Sequence, residues 1–122
     1  MTTTTLHPVQ IAKRLVAADG YLELGMPAQA LERLQPLSTE GPFGGLVAHM
    51  RGHALKAQAD FPAASSALEV AAKELPEEIA KEIWAELSEC YRRAGFTTHA
   101  VNSMGSARGA SSAPAPGAGE KL

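Results

Sequence analysis

Apolar positions in this chain recur every three or four residues. Ile11, Leu15, Ala18 and Leu22 form one such set, Ala64, Leu68, Ala71 and Ala72 a second, and Ile83, Leu87, Cys90 and Tyr91 a third. That spacing puts each set on one face of an α-helix. Sustained apolar/polar alternation is missing and β-branched clusters are few, so strands are not expected. Breakers divide the pattern. They are Gly25-Met26-Pro27, the Pro-, Gly-, Ser- and Thr-rich stretch from Pro36 to Gly45, Asp60-Phe61-Pro62, Leu75-Pro76 and Ala94-Gly95. Leu75-Pro76, followed by Glu77-Glu78, reads as a stop and then an acidic first turn, and Ala94-Gly95 closes its run as glycine does just past a helix end. The result is six predicted helical segments, at 8–24, 27–37, 43–58, 61–74, 77–94 and 97–104. Short and long breaks alternate between them, which reads as three helical hairpins in series.

The pattern stops near Ser103. The last stretch, GSARGASSAPAPGAGEKL over 105–122, has almost no large apolar side chain. It cannot bury enough surface to offset the entropy of ordering and is expected to be disordered. Residues 1–7 are read as a flexible N-terminus, which leaves a helical body over 8–104.

Composition narrows the function. The chain has 122 residues, 45% of them hydrophobic and 20% charged, enough for one packed domain. A net charge of −2 argues against a dedicated nucleic-acid binder. The single cysteine, Cys90, excludes an internal disulfide framework. No apolar run is long enough to span a membrane. The N-terminus shows no basic start followed by an apolar block, so the expected compartment is the cytoplasm.

Three short breaks align. In Leu24–Leu31, Gln58–Ser65 and Ala94–Val101, a small residue (Gly25, Ala59, Gly95) stands five positions before an alanine (Ala30, Ala64, Ala100). Tight turns need small residues, and so do closely crossing helices where they touch. On these residues the chain resembles the tetratricopeptide repeat family. Trp84-Ala85-Glu86-Leu87-Ser88-Glu89-Cys90-Tyr91 is similar to the family's W-x2-L-G-x2-Y. Gly52, Ala64 and Pro76 fall at its small, alanine and proline positions in the second unit, and Ala18, Tyr21 and Ala30 in the first. Departures are Arg14 and Ala48 where the third unit has Trp84, Arg51 where an apolar residue is usual, and Leu55 in place of tyrosine.

The resemblance, which covers residues 8–104, implies an all-α fold, a short right-handed α-solenoid of about three helix-turn-helix hairpins. It also implies a concave groove lined by the first helix of each hairpin. Carried over position by position, the groove residues are Leu15, Asp19, Leu22 and Glu23, then Leu46, His49, His53 and Lys56, then Glu82, Ala85, Glu89 and Arg92. The clamp with which some family members hold a chaperone's terminal carboxylate is not kept. Leu15, Asp19, His53, Glu82 and Glu86 stand at its positions, and acidic groups there would repel a carboxylate.

His49 and His53 stand at i and i+4, a spacing that can place two imidazoles on one ion. Met50 follows the first histidine where a zinc protease needs glutamate, so that motif is absent. A third ligand would have to come from Glu86 or Glu89, and no metal or other cofactor is expected. The same pair is the alternative candidate for a pH-responsive element. Trp84 and Tyr91 read as core between hairpins rather than a ligand cage. Cys90, beside Glu86 and Glu89, is expected to be unreactive. Gly41–Gly45 lacks the Lys-Ser/Thr of a phosphate loop, and no nucleophile–base–acid set stands out. The expected function is therefore a non-enzymatic protein-interaction scaffold that docks a protein or peptide segment in its groove. The alternative is self-assembly through an under-capped last hairpin.

Overall fold

The computed structural model describes residues 6–96, which form five α-helices and no strand. They are α1 (Pro8–Glu23), α2 (Pro27–Leu34), α3 (Gly44–Ala57), α4 (Phe61–Glu74) and α5 (Glu77–Ala94). Four of the predicted segments match to within a residue or so at each end. The second stops three residues early: Gln35 keeps helical backbone, but Pro36 has no N–H with which to continue the hydrogen-bond ladder. The predicted segment 97–104 and the tail over 105–122 lie outside the described residues. No helix among the described residues is long and apolar enough to cross a membrane.

Local chemistry explains the helix ends. Leu6 and His7, assigned to the flexible terminus by composition, belong to the body. Leu6 packs against the core, and His7 Nδ1 accepts from the Val9 amide at 3.1 Å while Gln10 Oε1 accepts from the His7 amide at 3.1 Å. This reciprocal pair satisfies two orphan donors at the start of α1. Pro8 and Pro27 occupy first-turn positions, where a missing N–H costs nothing. Glu77 and Glu78 open α5 and Arg92 and Arg93 close it, complementing the helix dipole at both ends.

The three aligned breaks adopt one turn, repeated. After α1, Met26 N donates to Tyr21 O and Gly25 N to Leu22 O, at 2.8 and 3.1 Å. After α3, Asp60 N donates to Leu55 O and Ala59 N to Lys56 O, both at 2.9 Å. After α5, Phe96 N donates to Tyr91 O and Gly95 N to Arg92 O, at 2.7 and 3.1 Å. This paired closure needs a left-handed residue, and Gly25, Ala59 and Gly95 have φ of 73°, 64° and 92°. Ala59 alone adopts it with a Cβ, at a steric cost. Asp60 then accepts from the Ala63 amide at 3.3 Å and so caps α4 as it leaves the turn.

Packing follows chain order. Each helix contacts the next, and α1 also touches α3. The core has two parts. Leu15, Ala18, Ala30, Leu34, Leu37, Val47, Met50 and Ala54 join α1, α2 and α3. Ala48, Ala64, Leu68, Ala71, Ala72, Ile83, Leu87, Cys90 and Tyr91 join α3, α4 and α5. Helix α3 contributes to both, so it is buried on two sides. It approaches α4 closely at Gly52, where a Cβ would come within 2.5 Å of Leu68 Cδ2. Leu68 is fully buried and has little room to yield. Trp84 is partly buried against the second core, at its margin rather than enclosed within it. Arg51, at a position where an apolar residue was expected, reaches back to the end of α2. Its Nη2 donates to the carbonyls of Leu34, Gln35 and Leu37 at 2.9, 3.3 and 2.7 Å. Leu34 and Gln35 end α2 and Leu37 follows in the break, and Leu34 O also accepts from the Leu37 amide at 2.9 Å. Tyr91 lies within the second core with its hydroxyl donating to Glu69 Oε2 at 2.7 Å. Burial pushes the phenol's pKa up, and the Glu69 hydrogen bond and charge push it further.

Three outcomes are expected. Gly52→Val should destabilise by about 1–3 kcal/mol through overpacking against Leu68. A urea midpoint unchanged from wild type would show that α4 can retreat. Ala59→Gly should stabilise by up to ~1 kcal/mol, since glycine relieves the left-handed strain but loses more backbone entropy. Thermal denaturation at neutral pH reads this directly. The raised Tyr91 value means the folded chain holds a proton that the unfolded chain releases near pH 10. Its contribution is intact below that pH and is lost as pH rises above it. Urea titrations from pH 8 to 11.5 should show a steeper alkaline loss of stability in wild type than in Tyr91→Phe.

Candidate functional site

His49, His53 and Lys56 follow one another by four and three residues and share one face of α3. Glu86 meets them from α5. His53 Nε2 lies 3.0 Å from both Glu86 oxygens, His49 Nε2 is 3.6 Å from Oε1, and Lys56 Nζ is 3.8 Å from Oε2. The two imidazoles stand edge to face with centroids 4.2 Å apart. One carboxylate is thus the focus of three basic side chains from a neighbouring helix. Burial alone would raise the Glu86 pKa. The approach of His49 and the hydrogen bonds with His53, with the charges of His53 and Lys56, outweigh it and hold the carboxyl well below the usual carboxylate range. All four side chains stay partly open to solvent, so the cluster is a surface feature and not a buried polar core.

The remaining groove positions divide. Leu46 lies on the same face of α3 as the histidines and is 42% exposed. Asp19 and Glu23 on α1, and Glu82 and Ala85 on α5, are also exposed. Leu15 is buried, and Leu22 packs against the same α1–α3 core, so neither is free to line a groove. Glu89 and Arg92 do not reach across to α3. Glu89 is engaged along its own helix, pairing with Arg92 and with Arg93 Nε, the latter at 3.0 Å.

Glu86 was not in the groove set carried over from the resemblance, although it was one of two candidates for a third ligand. His53 and Glu86 are 33 residues apart, whereas the turns after α3 and α5 recur at 36, so the repeat pairs His53 with Glu89 and Glu86 stands one helical turn before that point. Ile79 stands at the same offset from Leu46, on the same side of α5 as Glu86, and is also 42% exposed. Cys90 is buried, and burial is the main cause that pushes its thiol pKa up. Glu86 adds to that, and Lys56 and Arg93 oppose it. An unreactive thiol was expected from acidic neighbours, but desolvation is the larger reason.

Compared with known proteins, the chain matches no family model, no curated protein and no solved structure.

Proposed function

We propose that the chain is a non-catalytic interaction module of three tetratricopeptide-like hairpins, which docks a protein or peptide segment along the face shared by α1, α3 and α5. The observation that carries this reading is the threefold recurrence of one turn, closed by the same pair of hydrogen bonds after α1, α3 and α5. A chain that repeats its turn at near-constant spacing stacks its hairpins in register, and such stacks work through the face formed by successive first helices. The contact of α1 with α3 and the hydrogen bonds from His53 to Glu86 support that side-by-side arrangement.

Leu46 and Ile79 supply exposed apolar anchors on α3 and α5, and the His–Glu–Lys cluster supplies a polar patch one turn or more further along each helix. An amphipathic segment with spaced apolar side chains suits such a face. The self-assembly alternative depends on residues 97–104, outside the described residues.

A random peptide library displayed on phage, selected on the full chain in the presence of a chelator, tests the reading. Enriched peptides should lose at least tenfold in affinity for a Leu46→Glu/Ile79→Glu variant that keeps wild-type helicity. Peptides that bind this variant as tightly as wild type, or a library with no enrichment, would overturn it.

A further inference from the structure

We infer that His49, His53 and Glu86 bind a single divalent transition-metal ion, with Zn2+ the best match, and that the ion clamps α5 to α3. Such a site does not depend on the docking proposal. Three observations converge on it. The histidines stand at i and i+4 on α3, so their rings project from one face. Both Nε2 atoms face the same carboxylate, at 3.0 and 3.6 Å from Glu86 Oε1. One potential ligand atom from each of the three residues lies within 4.8 Å of the other two.

Donors bound to a tetrahedral zinc ion at 2.0–2.2 Å are themselves about 3.3 Å apart. The two nitrogen–oxygen separations already bracket that value. Closing the third requires only small rotations of side chains that are 21–37% exposed. Two imidazoles and one carboxylate form a borderline donor set. It suits zinc better than calcium or magnesium, which prefer all-oxygen shells. The open side of the cluster leaves a fourth position for water. An ion there would replace the hydrogen bonds that now tie Glu86 to the imidazoles. It would join two hairpins through ligands from both.

Lys56 opposes the ion. Its Nζ is 3.8 Å from Glu86 Oε2, so its charge competes for the carboxylate and repels a cation. Its flexible stem lets the ammonium swing into solvent, so the effect is a lower affinity rather than a blocked site. That competition supplies a variant that leaves every ligand in place.

The full chain, stripped with a chelator and dialysed, is titrated with zinc chloride by calorimetry at fixed pH, and every variant is checked for helicity by circular dichroism. One saturable equivalent is expected. Affinity should fall at least tenfold in His53→Ala and in Glu86→Gln, stay unchanged in His7→Ala and His99→Ala, and rise severalfold in Lys56→Gln. The melting temperature should climb with zinc concentration, because the ion binds the folded chain preferentially. Cobalt in place of zinc should give the intense visible bands of a four-coordinate site. No saturable heat with zinc, or equal affinity in wild type, His53→Ala and Glu86→Gln, would overturn the inference. If a ligand variant fails to fold, Lys56→Gln still decides, since unchanged affinity there places the ion elsewhere.

Discussion

The close approach of α3 and α4 at Gly52 is the constraint on which the other packing depends. With no side chain at that point, Leu68 settles against the α3 backbone and the two helices can share one buried seam. Helix α3 can then turn its other side to α1 and α2 through Val47, Met50 and Ala54. A helix used on two sides has little surface left, and what remains is the strip that carries Leu46, His49, His53 and Lys56. The polar cluster lies there because the rest of α3 is already committed to packing. Arg51 fits the same logic. Between two cores, its long side chain spans the gap to α2 and donates to three carbonyl oxygens at and just beyond that helix's end.

Glu86 shows what α5 adds. A carboxylate facing three basic groups is stabilised as the anion, and each of those groups gains a partner in return. Partly exposed pairs of this kind contribute little to stability individually. Their value is geometric, since they set the rotation of α5 relative to α3 by polar contacts while the apolar seam between α4 and α5 sets their distance.

Much of this was legible in the sequence because the signals were local. Helix ends were marked by Gly25, Pro27, Asp60, Pro62 and Gly95, residues with strong backbone preferences of their own. The repeat was visible because the turn imposes the same demand three times. The side chains of the candidate site were less legible, because spacing along one helix does not reveal what the next helix brings opposite. Leu15 and Leu22 sit on the flank of α1 that faces the core rather than the open side, and only the rotation of α1 against α2 and α3 decides this. Glu89 and Glu86 are one helical turn apart, and the choice between them depends on the crossing of α5 over α3. Arg51 was the least legible, because its partners are backbone oxygens in a long break with no residue signature.

The turns also bear on how the chain acquires its structure. Each of the three repeated turns closes over a few residues with hydrogen bonds made entirely within itself, and every described helix packs mainly on its immediate neighbour in sequence. Contacts that are short in sequence carry a small loop-closure penalty and go with rapid folding. A chain of this design can therefore gain structure progressively as it emerges from the ribosome. The α1–α2 pair is held only partly covered until Val47 and Met50 arrive. The α3–α4 pair, joined through Gly52, is the first pair in chain order with a close backbone seam, and α5 packs against it.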